Sequence, residues 1–90
     1  MRCLAWEIRI SESAVKTLKK LDSPIAKRIH NELLQISLLD DPRSRGKALT
    51  GNWGSFWRYR VGSYRIICRI EDEQLLITAV KIGHRSNIYQ

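Results

Sequence analysis

Between Arg43 and Arg69 the chain carries seven basic residues and no acidic one: Arg43, Arg45, Lys47, Arg58, Arg60, Arg65 and Arg69. Six of the seven are arginine, the side chain that grips phosphate with a planar fork and stacks on bases. Trp53, Phe56, Trp57, Tyr59 and Tyr64 are interleaved with them. Aromatic and basic residues mixed in this way suit a nucleic acid or an acidic protein partner. The bland alternative is a solubilising surface, which would not need its charge gathered in one segment. A smaller group follows Gly83: His84, Arg85 and, near the end, Tyr89. An exposed tyrosine beside arginines can stack on a base. Arg85 can add positive charge to a phosphate under attack. Taken singly these are weak signals, since such a tyrosine is more often packing and a single histidine more often a structural hydrogen-bonder.

Several chemistries are disfavoured. There is no nucleophilic serine on a Gly-rich elbow, no phosphate-cradling loop motif and no pair of carboxylates near the basic run. Metal-dependent nucleases hold their ion with carboxylates, and none occurs between Arg43 and Ile70. Cys3, Cys68 and the two histidines are scattered, without metal-ligand spacing. Neither metal nor cofactor is therefore expected. Cleavage of RNA remains open, because its own 2′-OH is an internal nucleophile. That reaction needs a base for the hydroxyl, cations for the pentacovalent phosphate and an acid for the 5′ oxygen. Arginines supply the cations well and the base poorly, since a guanidinium effectively never deprotonates.

The elements that must position these residues can be read from periodicity. Leu4 to Ile10 alternates as a half-buried strand. Ser11 can cap a helix whose apolar stripe is Ala14, Val15, Leu18 and Leu21, with Lys16, Lys19 and Lys20 facing water. A second helix is expected to start with Ser23 as its cap and Pro24 at the first helical position. Its stripe is Ile25, Ile29, Leu33 and Ile36, joined by Ala26 and Leu34, and it should stop before Asp40-Asp41-Pro42. The two form an αα-hairpin. Residues 42–55 read as an irregular loop. Phe56–Val61, Tyr64–Ile70 and Leu75–Ile82 read as strands, separated by Gly62-Ser63 and Glu71-Asp72-Glu73. The expected fold is α+β, in the order β-α-α-β-β-β: a two-helix hairpin on a mostly antiparallel four-stranded sheet.

This pattern fixes a register. A two-residue turn at Gly62-Ser63 sets Val61 opposite Tyr64 and Arg60 opposite Arg65. Strand alternation puts Arg58, Arg60 and Arg65 on one face, with Trp57, Tyr59, Tyr64 and Ile66 turned to the helices. Like charges directly opposite cost ~0.2–1 kcal/mol, so three arginines on one face suit an anion better than they suit stability. A mildly self-repelling solvated face is the competing reading. The tail after Gly83 should return beside Tyr64 and Arg65.

The remaining composition is ordinary. Ninety residues make one domain, 1–90, with 43% hydrophobic and 28% charged residues and a net charge of +7. No apolar run approaches the ~20 residues of a membrane span. The charged Arg2, Glu7 and Arg9 argue against a signal peptide, and a cytoplasmic location is the default. Cys68 reads as a buried small hydrophobe.

Four stretches together resemble the RelE/ParE family of bacterial toxins over nearly the whole chain. They are Lys47-Ala48-Leu49-Thr50-Gly51, the run Trp57-Arg58-Tyr59-Arg60-Val61-Gly62-Ser63-Tyr64-Arg65-Ile66-Ile67, Lys81-Ile82-Gly83-His84-Arg85, and Ile88-Tyr89. The resemblance implies a toxin of a type II toxin–antitoxin system, wrapped and neutralised by a cognate antitoxin and meeting operator DNA only through it. Its RelE branch cuts mRNA in the ribosomal A site; its ParE branch inhibits DNA gyrase without nuclease activity. Arg58, Arg60, Arg65, Arg85 and Tyr89 match the basic and tyrosine positions of RelE-like nucleases, which favours a metal-independent, ribosome-dependent endoribonuclease. On this reading Arg43, Arg45, Lys47, Lys81 and His84 contact RNA. Two positions depart from the family pattern. The best-known nuclease has lysine where Arg58 and Arg60 stand, and one of those lysines is thought to act as the base. Here the base is left to His84, a water or the ribosomal RNA. The alternatives are a ParE-like gyrase inhibitor, or an inactive member acting with its antitoxin as a DNA-binding repressor.

Overall fold

The computed structural model describes residues 6–49, 51, 54 and 56–84. Ser11 turns the chain from strand β1 (Glu7–Ile10) into helix α1 (Glu12–Lys20). Its hydroxyl accepts from the Ala14 backbone N–H at 3.1 Å and donates to the Val80 carbonyl at 3.0 Å. One hydroxyl therefore satisfies an orphan donor of the helix and ties the helix start to the last strand. Helix α2 (Ser23–Ser37) follows after two residues, with Pro24 in its first turn. Its cap position is Asp22 rather than the expected Ser23, and the Asp22 side chain makes no capping bond. Ser23 has already taken helical geometry, leaving Pro24, which lacks an N–H, to fill the first turn.

The chain continues through a 3-10 turn (Pro42–Ser44), β2 (Lys47–Ala48), β3 (Trp57–Val61), β4 (Tyr64–Glu71), a second 3-10 turn (Asp72–Gln74) and β5 (Leu76–His84). The strands form one sheet in the order β1-β5-β4-β3-β2. β1 runs parallel to β5; the other pairings are antiparallel. The sheet has five strands and not four. The extra one, β2, is a two-residue edge strand inside the segment expected to be a loop. It pairs Lys47 with Arg58 and Ala48 with Trp57. Two residues show no alternation, so periodicity could not reveal it.

Both helices cover one face of the sheet. Ala14, Ile29, Leu33 and Ile36 meet Tyr59, Ile66, Cys68, Ile77, Ala79 and Ile82 in a single buried cluster that also holds Trp6. Leu34, assigned to the α2 stripe, is 48% exposed. It lies one position round from Leu33, and the narrow contact face of α2 takes only one of the two. Leu4, in the expected first strand, lies outside the described residues. Cys68 is a free, buried thiol, and burial pushes its pKa up to about 12.

Candidate nucleic-acid interface

The β3–β4 hairpin sets the geometry. Gly62 has φ +59° while Ser63 keeps a negative φ, the pattern of a turn with glycine at its first central position. The turn places Val61 opposite Tyr64 and Arg60 opposite Arg65. Cross-strand partners share a face, so the pairings can be followed across the sheet. Arg60, Arg65 and Gly83 form one row; Lys47, Arg58, Ile67 and Lys81 form the next. Tyr59, between Arg58 and Arg60, is buried on the helix side. The basic rows therefore occupy the face that the helices leave open.

Arg60 is exposed, whereas Arg58 and Arg65 are half-buried. The Arg58 Nε is buried and has no hydrogen-bond partner among the described residues. A buried donor left unsatisfied costs ~1–3 kcal/mol, more when charged. An anion on this face would relieve that cost. Ile67 sits at the centre of the second row, fully buried yet outside the core cluster. Arg58 and Lys81 are its register partners on the two neighbouring strands. No carboxylate stands opposite any of these cations on a neighbouring strand.

The loop cations are placed differently. Arg43 makes a bidentate pair with Asp72 at 2.8 and 3.0 Å. This contact holds the Asp72 carboxyl below the usual carboxylate range and raises the Arg43 guanidinium further. Arg45 reaches Glu32 of α2 at 3.4 Å. Its carbonyl accepts from the Trp57 indole N–H at 2.6 Å. Of the three basic residues in this loop, only Lys47 joins the open face, through its pairing with Arg58.

His84 pairs with Tyr64, their rings edge to face at 5.6 Å. It follows Gly83 by one residue and so turns towards the helix side, away from the Arg65 row. Arg85 and Tyr89 lie outside the described residues. An apolar groove of about 350 Å³ lies between the helices, lined by Leu18, Ala26, Lys27 and His30 among others. It is on the side opposite the basic rows.

Sequence reasoning missed Gly46. Its φ is +75°, and a Cβ there would fall on the Arg58 carbonyl oxygen and 2.8 Å from the Trp57 indole nitrogen. The loop backbone lies directly on β3, which only glycine allows. The signal, a Gly between Arg45 and Lys47 ahead of an aromatic strand, is too short to read alone.

Comparison with known proteins agrees with this architecture. The family model for the ParE toxin of the type II toxin–antitoxin system parDE matches residues 8–89. The toxin RelG of Mycobacterium tuberculosis is 28% identical over 87 residues, covering 97% of this chain and 99% of that protein. The mRNA interferase toxin RelE of Escherichia coli is 25% identical over 89 residues, covering 96% and 92% respectively. The crystal structure of the toxin–antitoxin complex RelBE2 from M. tuberculosis contains a chain that superposes with a TM-score of 0.83 at 24% identity. It covers 96% of this chain and 98% of that one.

Proposed function

The chain belongs to the ParE toxin family of type II toxin–antitoxin systems, and on that premise we propose that it is a ribosome-dependent mRNA endoribonuclease. The observation that carries this reading is the row formed by Arg60 and Arg65, with Arg58 beside it, on the open face of the sheet. Such a cluster suits the extra negative charge of a phosphate under attack. Relatives named as RelE mRNA interferases support the same reading. A cognate antitoxin is the expected protein partner, as in the RelBE2 complex.

In this mechanism the 2′-OH of the RNA attacks its own phosphorus and the 5′ oxygen leaves. Arg65 and Arg85 neutralise the scissile phosphate; Arg58 and Arg60 hold the neighbouring backbone. Tyr89 stacks on a nucleotide, while Lys47 and Lys81 extend the grip on RNA. Arginine cannot take the 2′ proton, and His84 turns away from the Arg65 row, so the base is a water or a group of the ribosomal RNA.

The match to a ParE family model favours a second reading, inhibition of DNA gyrase without nuclease activity. The two separate cleanly. Purified protein added to a translating system should cut mRNA, with a chelator that spares the ribosome's magnesium requirement leaving cleavage intact. Growth arrest with uncut transcripts and lost supercoiling activity would establish the gyrase reading instead.

A further inference from the structure

The basic face does not end at Arg58 and Lys81. Along β4 the open face carries Arg65, Ile67, Arg69 and Glu71, two residues apart. The third row across the sheet is Arg69, Thr78 and Arg9; the fourth is Glu71, Leu76 and Glu7. The positive track thus runs for four residues of β4, or ~13 Å, and stops at an acidic row. That length exceeds a single phosphate and fits a short stretch of single strand.

Arg69 at the far end of this track is exposed. Its guanidinium carbon lies 5.8 Å from the centroid of the Phe56 ring. Phe56 immediately precedes β3, next to the Trp57–Cys68 pair, so it reaches the same face as Arg58 and Arg69. Glu71 lies two residues along the same face of the same strand, yet Arg69 stacks on the aromatic ring and pairs with no described carboxylate. Arg9 in the same row is taken by Glu7 at 3.0 Å. Among the described residues Arg69 is therefore the row's uncompensated charge, and it is exposed beside the Phe56 ring.

We propose that Arg69, held on Phe56, is a second phosphate subsite that binds single-stranded RNA flanking the cleavage point. The inference rests on the RNA-cleaving reading above and adds the reach of the bound strand. Contacts of this type are sequence-independent and position the strand without taking part in the chemistry.

The test titrates a labelled trinucleotide and a labelled nonanucleotide of single-stranded RNA into wild-type protein, Arg69→Ala, Arg69→Lys and Phe56→Leu, with melting curves as a check on folding. Arg69→Ala should weaken nonanucleotide binding roughly fivefold and flatten the log–log salt dependence by about 0.7, one phosphate of single strand. It should leave the trinucleotide unchanged. Arg69→Lys should recover the salt slope but only part of the affinity, and Phe56→Leu should cost less than Arg69→Ala. In ribosome-coupled cleavage Arg69→Ala should raise KM and leave kcat alone. Equal nonanucleotide binding by wild type and Arg69→Ala overturns the subsite, as does a loss confined to an acidic peptide such as poly-glutamate. A wild type that binds the nonanucleotide through Arg69 but never cuts mRNA overturns the nuclease reading and leaves the subsite standing.

Discussion

Arg43 and Arg45 belong to the same acid-free run of sequence as Arg58, Arg60 and Arg65, yet the fold uses the two sets in opposite ways. The loop arginines each meet a carboxylate: Asp72 from the turn before β5, and Glu32 from α2. They fasten residues 42–48 to the rest of the molecule. The hairpin arginines are set against one another by the strand register. Arg60 faces Arg65 directly, and the Arg58 Nε is buried without a partner among the described residues. The difference shows that local charge density does not identify a site. What matters is whether distant parts of the chain return an opposite charge, and for the hairpin set neither neighbouring strand does.

The sharpest test removes one hairpin cation. Arg65→Ala should lower mRNA cleavage by about 10²–10³-fold, the usual effect of losing one group that stabilises charge developing in the transition state. A melting curve close to wild type would show that the loss is chemical. An equally large loss in Arg43→Ala with unchanged stability would erase the distinction between the two sets.

On the loop side the largest effect should come from Tyr59 and not from an arginine. Its hydroxyl donates to the Pro42 carbonyl at 2.8 Å inside the core, and burial raises its pKa above the ordinary phenol value. Tyr59→Phe leaves that buried carbonyl without its donor, a cost of ~1–3 kcal/mol. In a domain of this size each kcal/mol lowers Tm by roughly 4–8 °C. Thermal denaturation would measure the loss. Cleavage per folded molecule should stay near wild type, because Arg58 and Arg60 are held by the β3–β4 register and not by the loop.

That register was legible in the sequence. Gly62-Ser63 between two alternating runs sets Arg60 against Arg65 by geometry alone, and the structure has that pairing. The helices were equally legible, because Ala14, Ile29, Leu33 and Ile36 repeat at helical spacing and are buried. Three features were not. The fates of Arg43 and Arg45 depend on Asp72 and Glu32, which are 29 and 13 residues away, and no local pattern encodes such contacts. β2 is too short to show periodicity. Arg69 was visible as part of the basic run and shares the parity of Arg65, but its stacking on Phe56 needs the strands to be paired first.

A smaller effect probes the repulsion itself. Arg60→Gln removes one of two like charges facing each other on adjacent strands. It should raise stability by ~0.2–1 kcal/mol while lowering cleavage. Urea denaturation alongside the cleavage assay would detect the opposed changes. A loss of stability would mean that the Arg60 stem contributes more by packing than its charge costs.

The smallest effect concerns the Arg43–Asp72 pair, and its sign is set by pH. The Arg43 guanidinium holds the Asp72 carboxyl below its ordinary value, chiefly through the hydrogen bonds between them. In the unfolded chain Asp72 regains an ordinary pKa near ~3.9 and takes up a proton first as pH falls. The pair's contribution is therefore fully present above that value. It declines as pH drops towards the depressed native pKa, where the folded state is protonated too. Wild type and Arg43→Ala should thus differ in Tm at pH 7, and the gap should shrink as pH falls below the ordinary carboxylate range. Both partners are at the surface, so the gap should be modest and should narrow in high salt. At neutral pH Arg43→Ala should cleave mRNA at the wild-type kcat, since its charge is committed to Asp72 and lies off the open face. A Tm gap that did not shrink in acid would show that Arg43 stabilises the loop by packing its stem and not by its charge.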